Sequence, residues 1–315
     1  MRLSNFFKLV YNEQVKLYAR KSTWIMFGIL AAIILGVAIL GKTVGNVDEA
    51  QYGDDWRQQL EQENAEIAEG SSEEEVANHW GIQENNYYLD NDIKPLEYDA
   101  WQFVVENVML SALLSLFTII VAAGIIAHEF RWGTVKLLLI RPVARTKILF
   151  AKYASVLLFA FTSLVFLLVF SWITGAIFFG VNGANPLLVI QNQNEYTQIA
   201  AWAEMGRSYG LQLINLVMMA TFAFMISSIF RNSGLAIGFA IFLMMAGNSI
   251  IGFFMQYDWA KYILFANTNL EQYFRGTPLI EGMTLSFSIG VLIVYYVIFM
   301  VLSWLFFTKR DVAGH

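Results

Sequence analysis

Cysteine is missing altogether, histidine occurs three times at scattered positions, and charged residues make up only 14% of the 315 residues. Without cysteine there can be no disulfide, thiolate metal site or cysteine nucleophile, and the redox compartment stays undetermined. The chain has no Gly-x-x-x-x-Gly-Lys-Ser/Thr phosphate loop, no His-Glu-x-x-His metal motif and no Asp-x-Asp-x-Asp-Gly calcium loop, so nucleotide, zinc and calcium chemistry all lack a signature. The middles of the long apolar runs carry no Asp, Glu, Lys or Arg. An intramembrane hydrolase would need a cluster of such groups, and an ion-coupled transporter usually keeps ionisable groups near the midplane. Energy for any work must therefore come from another chain. No internal repeat is evident, no catalytic, cofactor or metal residue stands out, and no nucleic-acid partner is expected.

What is present is apolar: 57% hydrophobic and 16% aromatic residues. Windows long enough for a hydrocarbon core of ~30 Å at ~1.5 Å per residue run from Trp24 to Leu40, Val108 to Ala127, Val156 to Phe179, Leu211 to Phe230, Leu235 to Phe254 and Leu285 to Phe307. In lipid the backbone must satisfy its own hydrogen bonds, and these runs are too long and too uniform for barrel strands, so they are helices. The expectation is an all-α, polytopic membrane protein with six transmembrane helices and membrane lipid as its solvent. A signal peptide in place of the first span (23–41) is disfavoured, because more than twenty residues precede Trp24 and no small-residue cleavage pattern follows Leu40.

Lys and Arg accumulate on the cytoplasmic side. One alternate set of inter-span segments holds fourteen of them and the other only six, spread over far more residues. Both termini are therefore expected in the cytoplasm. Residues 1–22 show a two-faced helical pattern, with Phe6, Phe7, Val10 and Leu17 opposed to Lys8, Asn12, Lys16 and Arg20. This reads as an amphipathic interfacial helix, or as a plain basic flank that sets topology. In the first span, Gly28, Ala32 and Gly36 form a small-residue stripe for helix contact, within one subunit or between two.

Residues 42–100 form the one large polar region. From Thr43 to Ala100 it carries sixteen acids against Arg57 and Lys94. It is expected outside the cell, helical within Asp54 to Glu75 and looped from Gly81 to Asp99. Its acids fit a cationic ligand such as a basic peptide, or simply a solvated acidic face. Beyond it, 101–315 carries spans two to six. Glu106 and Asn107 mark either the mouth of a pathway or the end of a helix. Asn248, deep in the fifth span, needs a partner helix or a wet cavity. Asn107 and Asn248 are the translocation-path candidates. The segment 256–282 is too polar to cross yet carries seven large apolar residues, so it reads as short helices dipping into the outer leaflet, with Phe265 and Leu270 as candidate outer-gate residues.

The stretch Ala127 to Lys152, containing the cytoplasmic loop 128–152, holds six cations against the single acid Glu129. Thr134 can cap a short helix over Val135 to Ile140 that Pro142 stops. Its pattern, Glu129-x-x-x-Gly133-Thr134, then Leu137-Leu138-x-x-Arg141-Pro142-x-x-Arg145 and Lys152, resembles the second family of bacterial ATP-binding-cassette (ABC) permeases. The resemblance extends to an interfacial first helix, six spans and an outer re-entrant element before the sixth. It implies a permease subunit in the bacterial cell membrane, paired with a second permease, identical or related. It further implies docking of separate cytoplasmic ATPase chains that bind ATP and Mg. Glu129, Gly133, Thr134, Arg141, Pro142 and Arg145 would couple hydrolysis to export of a hydrophobic or amphipathic substrate such as a peptide antibiotic, lipid or drug. The outer loop is longer than minimal family members carry. The alternative is a sensor or assembly factor whose acidic outer loop binds a ligand without transport.

Overall fold

The computed structural model describes residues 3–43, 52–69, 72, 76, 79–131, 143–192, 195–230, 232–276 and 278–309. Helix α1 (Leu3–Tyr18) is followed by α2 (Lys21–Thr43), α3 (Trp56–Ala68), α4 (Trp80–Asp90), α5 (Ala100–Glu106) and a 3-10 turn (Asn107–Leu110) leading into α6 (Ser111–Arg131). Then come α7 (Arg145–Phe178), strands β1 (Leu187–Asn192) and β2 (Glu195–Ala200), α8 (Ala201–Ile229) and α9 (Ser233–Phe254). A 3-10 turn (Asp258–Tyr262), α10 (Leu264–Thr268), a second 3-10 turn (Leu270–Tyr273) and α11 (Leu285–Lys309) complete the chain.

Among the described residues, five helical runs are long and apolar enough to cross a membrane: α2, α5 with α6, α7, α8 and α11. The chain is thus a multi-pass helical membrane protein. The fifth expected span is helical as α9, 22 residues from Ser233 to Phe254. The α6 and α8 runs form the centre, with 61% and 67% of their apolar windows buried, whereas α2 and α11 lie at the rim with 17% each. Exposed apolar side chains on α11, such as Ile293, Val297 and Val301, are what a lipid-facing helix presents.

Two helices run well past their apolar windows. At 34 residues α7 spans about 51 Å, and at 29 residues α8 spans about 44 Å, both more than a bilayer core requires. The surplus of α7 is its first turns, which hold Lys152. That of α8 is Ala201 to Gly210, which holds Glu204 and Arg207 and lies before the apolar window that starts at Leu211. The charges and glycines of that stretch hide a helix that tertiary contacts secure, among them the Tyr209 hydroxyl donating to the Val104 carbonyl at 3.1 Å.

α1 packs on α2 and on the start of α7. Val10 and Leu17 are buried while Phe7, Tyr11 and Val15 form an exposed stripe, so Phe7 lies on a different face from Val10. At α2, nothing comes within 4 Å of a Cβ built on Gly28 or Gly36. The small-residue stripe therefore makes no close contact there with the described residues of this chain.

The acidic region is a small folded unit at the end of the bundle away from α1. α3 packs on α4 through Trp56, Leu60 and Ile82, and Asn85 bridges to Asn64 at 3.0 Å. The expected loop from Gly81 to Asp99 is thus corrected in its first half: Trp80–Asp90 is helical, because burying Ile82 outweighs the weak helix propensity of Asn and Gly. Asp99 starts α5 as a full capping box with Gln102 and also accepts the Asn182 amide at 3.0 Å. The hairpin β1–β2 is antiparallel, Leu187 facing Ala200 and Asn192 facing Glu195. It adds a strand element to a fold read as wholly helical, and its Tyr196 hydroxyl donates to the Trp80 carbonyl at 2.9 Å.

Candidate functional site

The two flanks of the basic segment are bound together. Lys152, only 1% exposed on α7, pairs with Glu13 of α1 at 2.7 Å and with Glu129 of α6 at 3.0 Å. Lys16 closes the cluster, 2.9 Å from Glu13 and 3.4 Å from Glu129. Burial alone would pull the Lys16 ammonium down, but the hydrogen bond and charge of Glu13, with Glu129 behind it, raise it above its ordinary 10.5. Gln14 donates to the Ser155 carbonyl at 2.8 Å, and Arg20 lies 3.4 Å from His128 Nδ1. Arg145, the first residue of α7, donates to the Thr308 carbonyl at 3.2 Å, tying the same corner to the end of α11. Of the coupling candidates, then, Glu129 and Arg145 take part in anchoring contacts. Gly133, Thr134, Arg141 and Pro142 lie outside the described residues, as does the short helix expected there. In the sequence Lys152 is a loop cation and motif residue. Its burial was not legible, because its carboxylate partners lie 139 and 23 residues away.

At the opposite end, a cavity of about 520 Å³ opens between α6, α8, α9 and the segment following α9. Met109, Met219, Met244 and Phe265 supply an apolar wall, while Ser111, Ser115, Gln212, Asn215 and Glu271 supply polar groups. Asn107 is buried in the 3-10 turn beside it, 3% exposed. Asn248 is on α9, with its side chain outside the described residues. Asn215 of α8 lines the cavity.

The described residues of 256–282 form short helices and turns whose interior is held by a polar network. Asn267 is fully buried and donates to the Lys261 and Ile263 carbonyls, both at 2.8 Å, and accepts from Ser288 of α11 at 2.7 Å. Ser288 in turn lies 2.6 Å from the Tyr273 hydroxyl. Arg275 pairs with the fully buried Glu204 of α8, which also pairs with Arg207 at 2.6 Å and accepts from Ser208 at 3.1 Å. Leu270 is buried. The Phe265 ring sits where a side chain on Gly247 would be: a Cβ there would come within 2.5 Å of it. Gly247→Ala is therefore expected to cost about 1–3 kcal/mol by overpacking. Gly252→Ala on the same helix meets nothing within 4 Å and should be neutral or slightly stabilising. Denaturation of both variants in detergent checks this; equal effects would show that the ring does not rest on Gly247.

A second cleft, also of about 520 Å³, lies farther out between α4, α5, the hairpin and Arg275. Glu106 and Arg275 line both spaces and so sit in the wall between them. Tyr98 donates to Glu106. Burial, and next the charge of Glu106, push the Glu84 carboxyl above its usual range. Burial and the same charge push the Tyr98 hydroxyl up strongly.

Among proteins of known sequence, the chain is similar over nearly its whole length to "Uncharacterized protein YhcI" of Bacillus subtilis (strain 168). The two are 41% identical over 314 residues, covering 97% of this chain and 99% of that protein. It is also similar to "Uncharacterized membrane protein YdbK" of the same organism, 33% identical over 206 residues, covering 64% of this chain and 79% of that protein. Residues 77–313, from the distal helical unit through α11, match the family described as "Protein of unknown function (DUF2705)", and the chain belongs to that family.

Proposed function

We propose that this chain is the permease subunit of an ATP-binding-cassette exporter in a bacterial plasma membrane, with α9 as a sixth span and both termini cytoplasmic. Separate cytoplasmic ATPase subunits bind ATP and Mg, and a second permease completes the assembly. The observation that carries the reading is the clamp at the flanks of 128–152, where Lys152 joins the end of one long helix, the start of the next and α1 through Glu129 and Glu13. A loop that receives force from an ATPase must be rooted so that displacement moves the spans rather than bending the loop. The spans' lack of charge at mid-length supports an outside energy source.

In this reading α1 lies in the cytoplasmic interface, its exposed Phe7, Tyr11 and Val15 dipping into the acyl boundary. Spans two and five border the path, with Asn107 and Asn248 along it, and the segment 256–282 closes it outside through Phe265 and Leu270. A hydrophobic or amphipathic substrate suits the Met-rich wall of the inner cavity, since Met adapts to varied shapes.

The test is purification of the tagged chain from its native membranes in mild detergent. A co-purifying ATPase is expected, and replacing Gly133 and Thr134 by tryptophan should abolish substrate-stimulated hydrolysis while membrane insertion is retained. A folded chain that comes away without an ATPase, or stimulation unchanged in the variant, overturns the proposal.

A further inference from the structure

The outer cleft has a composition that transport does not by itself require. Trp80 and Glu84 are four residues apart on α4, hence on one face. With Glu106 and the Tyr98 and Tyr196 rings they surround a space of about 520 Å³. That size is in the usual range for a ligand site, roughly 300–1,000 Å³. The described cation on its wall is Arg275, a single charge against the two carboxylates of Glu84 and Glu106, and it shares buried Glu204 with Arg207. The uncompensated charge in the cleft is thus negative, and aromatic rings flank it, the combination that recognises an ammonium or guanidinium group.

The fourth wall specifies more. Four consecutive residues of β1, Leu188 to Gln191, line the cleft. Successive strand side chains point to opposite faces of a sheet, so a space touched by four in a row runs along the strand's edge. Among the described residues the sheet has two strands, and β1 pairs on one side with β2. Its other edge offers main-chain donors and acceptors to an extended chain.

We propose that this cleft binds an extended basic peptide, which adds a strand along the free edge of β1 and places a Lys or Arg side chain between Glu84 and Glu106 and against the rings of Trp80, Tyr98 and Tyr196. Charge complementarity selects this occupant: residues 43–100 carry sixteen acids against two bases, a field that draws a polycation toward the cleft. An acidic or neutral chain would bring no positive charge to Glu84 and Glu106, of which Glu106 has only the neutral Tyr98 hydroxyl as its described donor. The site stands whether the chain transports the peptide or only senses it.

The experiment uses the purified full-length chain in detergent and a fluorescent ten-residue peptide of alternating lysine and valine, with binding read by anisotropy. Saturable binding is expected, weakened about tenfold by Glu84→Gln with Glu106→Gln and about fivefold by Trp80→Ala. The Trp80 ring is 67% exposed, so that variant keeps its fold even if the double variant does not. The control pair Glu61→Gln with Glu69→Gln removes the same charge from exposed positions and should leave affinity within about twofold at physiological salt. A backbone N-methylated peptide of the same sequence should bind far more weakly, and arginine methyl ester should compete only at much higher concentration. Equal losses in the control and cleft variants would reduce the effect to attraction by an acidic surface. Undiminished binding of the methylated peptide, or arginine methyl ester binding as tightly as the peptide, would remove strand addition. No ATPase enters the assay, so its outcome is independent of whether one co-purifies.

Discussion

Replacing Lys152 by methionine is expected to destabilise the protein by about 3 kcal/mol, toward the lower end of what removing one partner from a buried charge cluster costs. The reason is geometric. Lys152 has 1% of its side chain exposed, whereas Glu13 and Glu129 keep 11% and 15%. Its loss takes the buried cation from two close, poorly hydrated carboxylates, which keep their contacts to Lys16. The penalty comes from stranding the acids more than from losing attraction, so adding Glu129→Gln to Lys152→Met should recover part of the stability. Chemical denaturation in detergent, followed by helical circular dichroism, reads both. A double variant less stable than the single one would show that the cluster is not limited by unpaired charge. The contribution of Lys16 has a defined pH sense: its folded-state value is raised above 10.5, so the stabilisation is fully present below that value and is lost only as the pH climbs through the folded one. In the permease reading, Lys152→Met also predicts slackened coupling, because the loop's two roots would move independently.

The second large effect is expected at the distal end and is asymmetric. Glu204 is fully buried, while Arg207 and Arg275 retain 17% and 35% of their exposure. Removing both cations with Arg207→Met and Arg275→Met strands a carboxylate that cannot reach water, at a cost of about 3–5 kcal/mol. Glu204→Gln leaves two guanidinium groups that can each turn toward solvent, and should cost less. The reverse order would mean that Glu204 is hydrated. Arg275 also fastens the segment after α9 to α8. On the cysteine-free chain, a Leu270→Cys probe should react slowly with a polar maleimide, since Leu270 is buried, and faster once Arg275→Met is added. Unchanged labelling would show that Asn267, Ser288 and Tyr273 hold the segment without the ion pair, and would count against its opening as a gate.

The sequence by itself determined that the chain is helical and crosses a membrane several times. Runs of some twenty apolar residues have few alternatives in lipid. It also located the polar region, the helix formers of α3 and the broken character of the segment after α9, because those follow from local composition. Only the tertiary structure decided where charge is buried. Nothing in the local sequence marks Lys152 or Glu204 as buried, since the acid of α1 that meets Lys152 is 139 residues away and Arg275 is 71 residues from Glu204. The same holds for α4, the first turns of α8 and the β-hairpin: each is weakly encoded locally and is held by burial or by hydrogen bonds from distant residues, as Tyr196 to Trp80 across 116 residues illustrates. Periodicity reports which face of a segment is apolar. The partner that covers that face, or neutralises a charge on it, is a property of the packed chain.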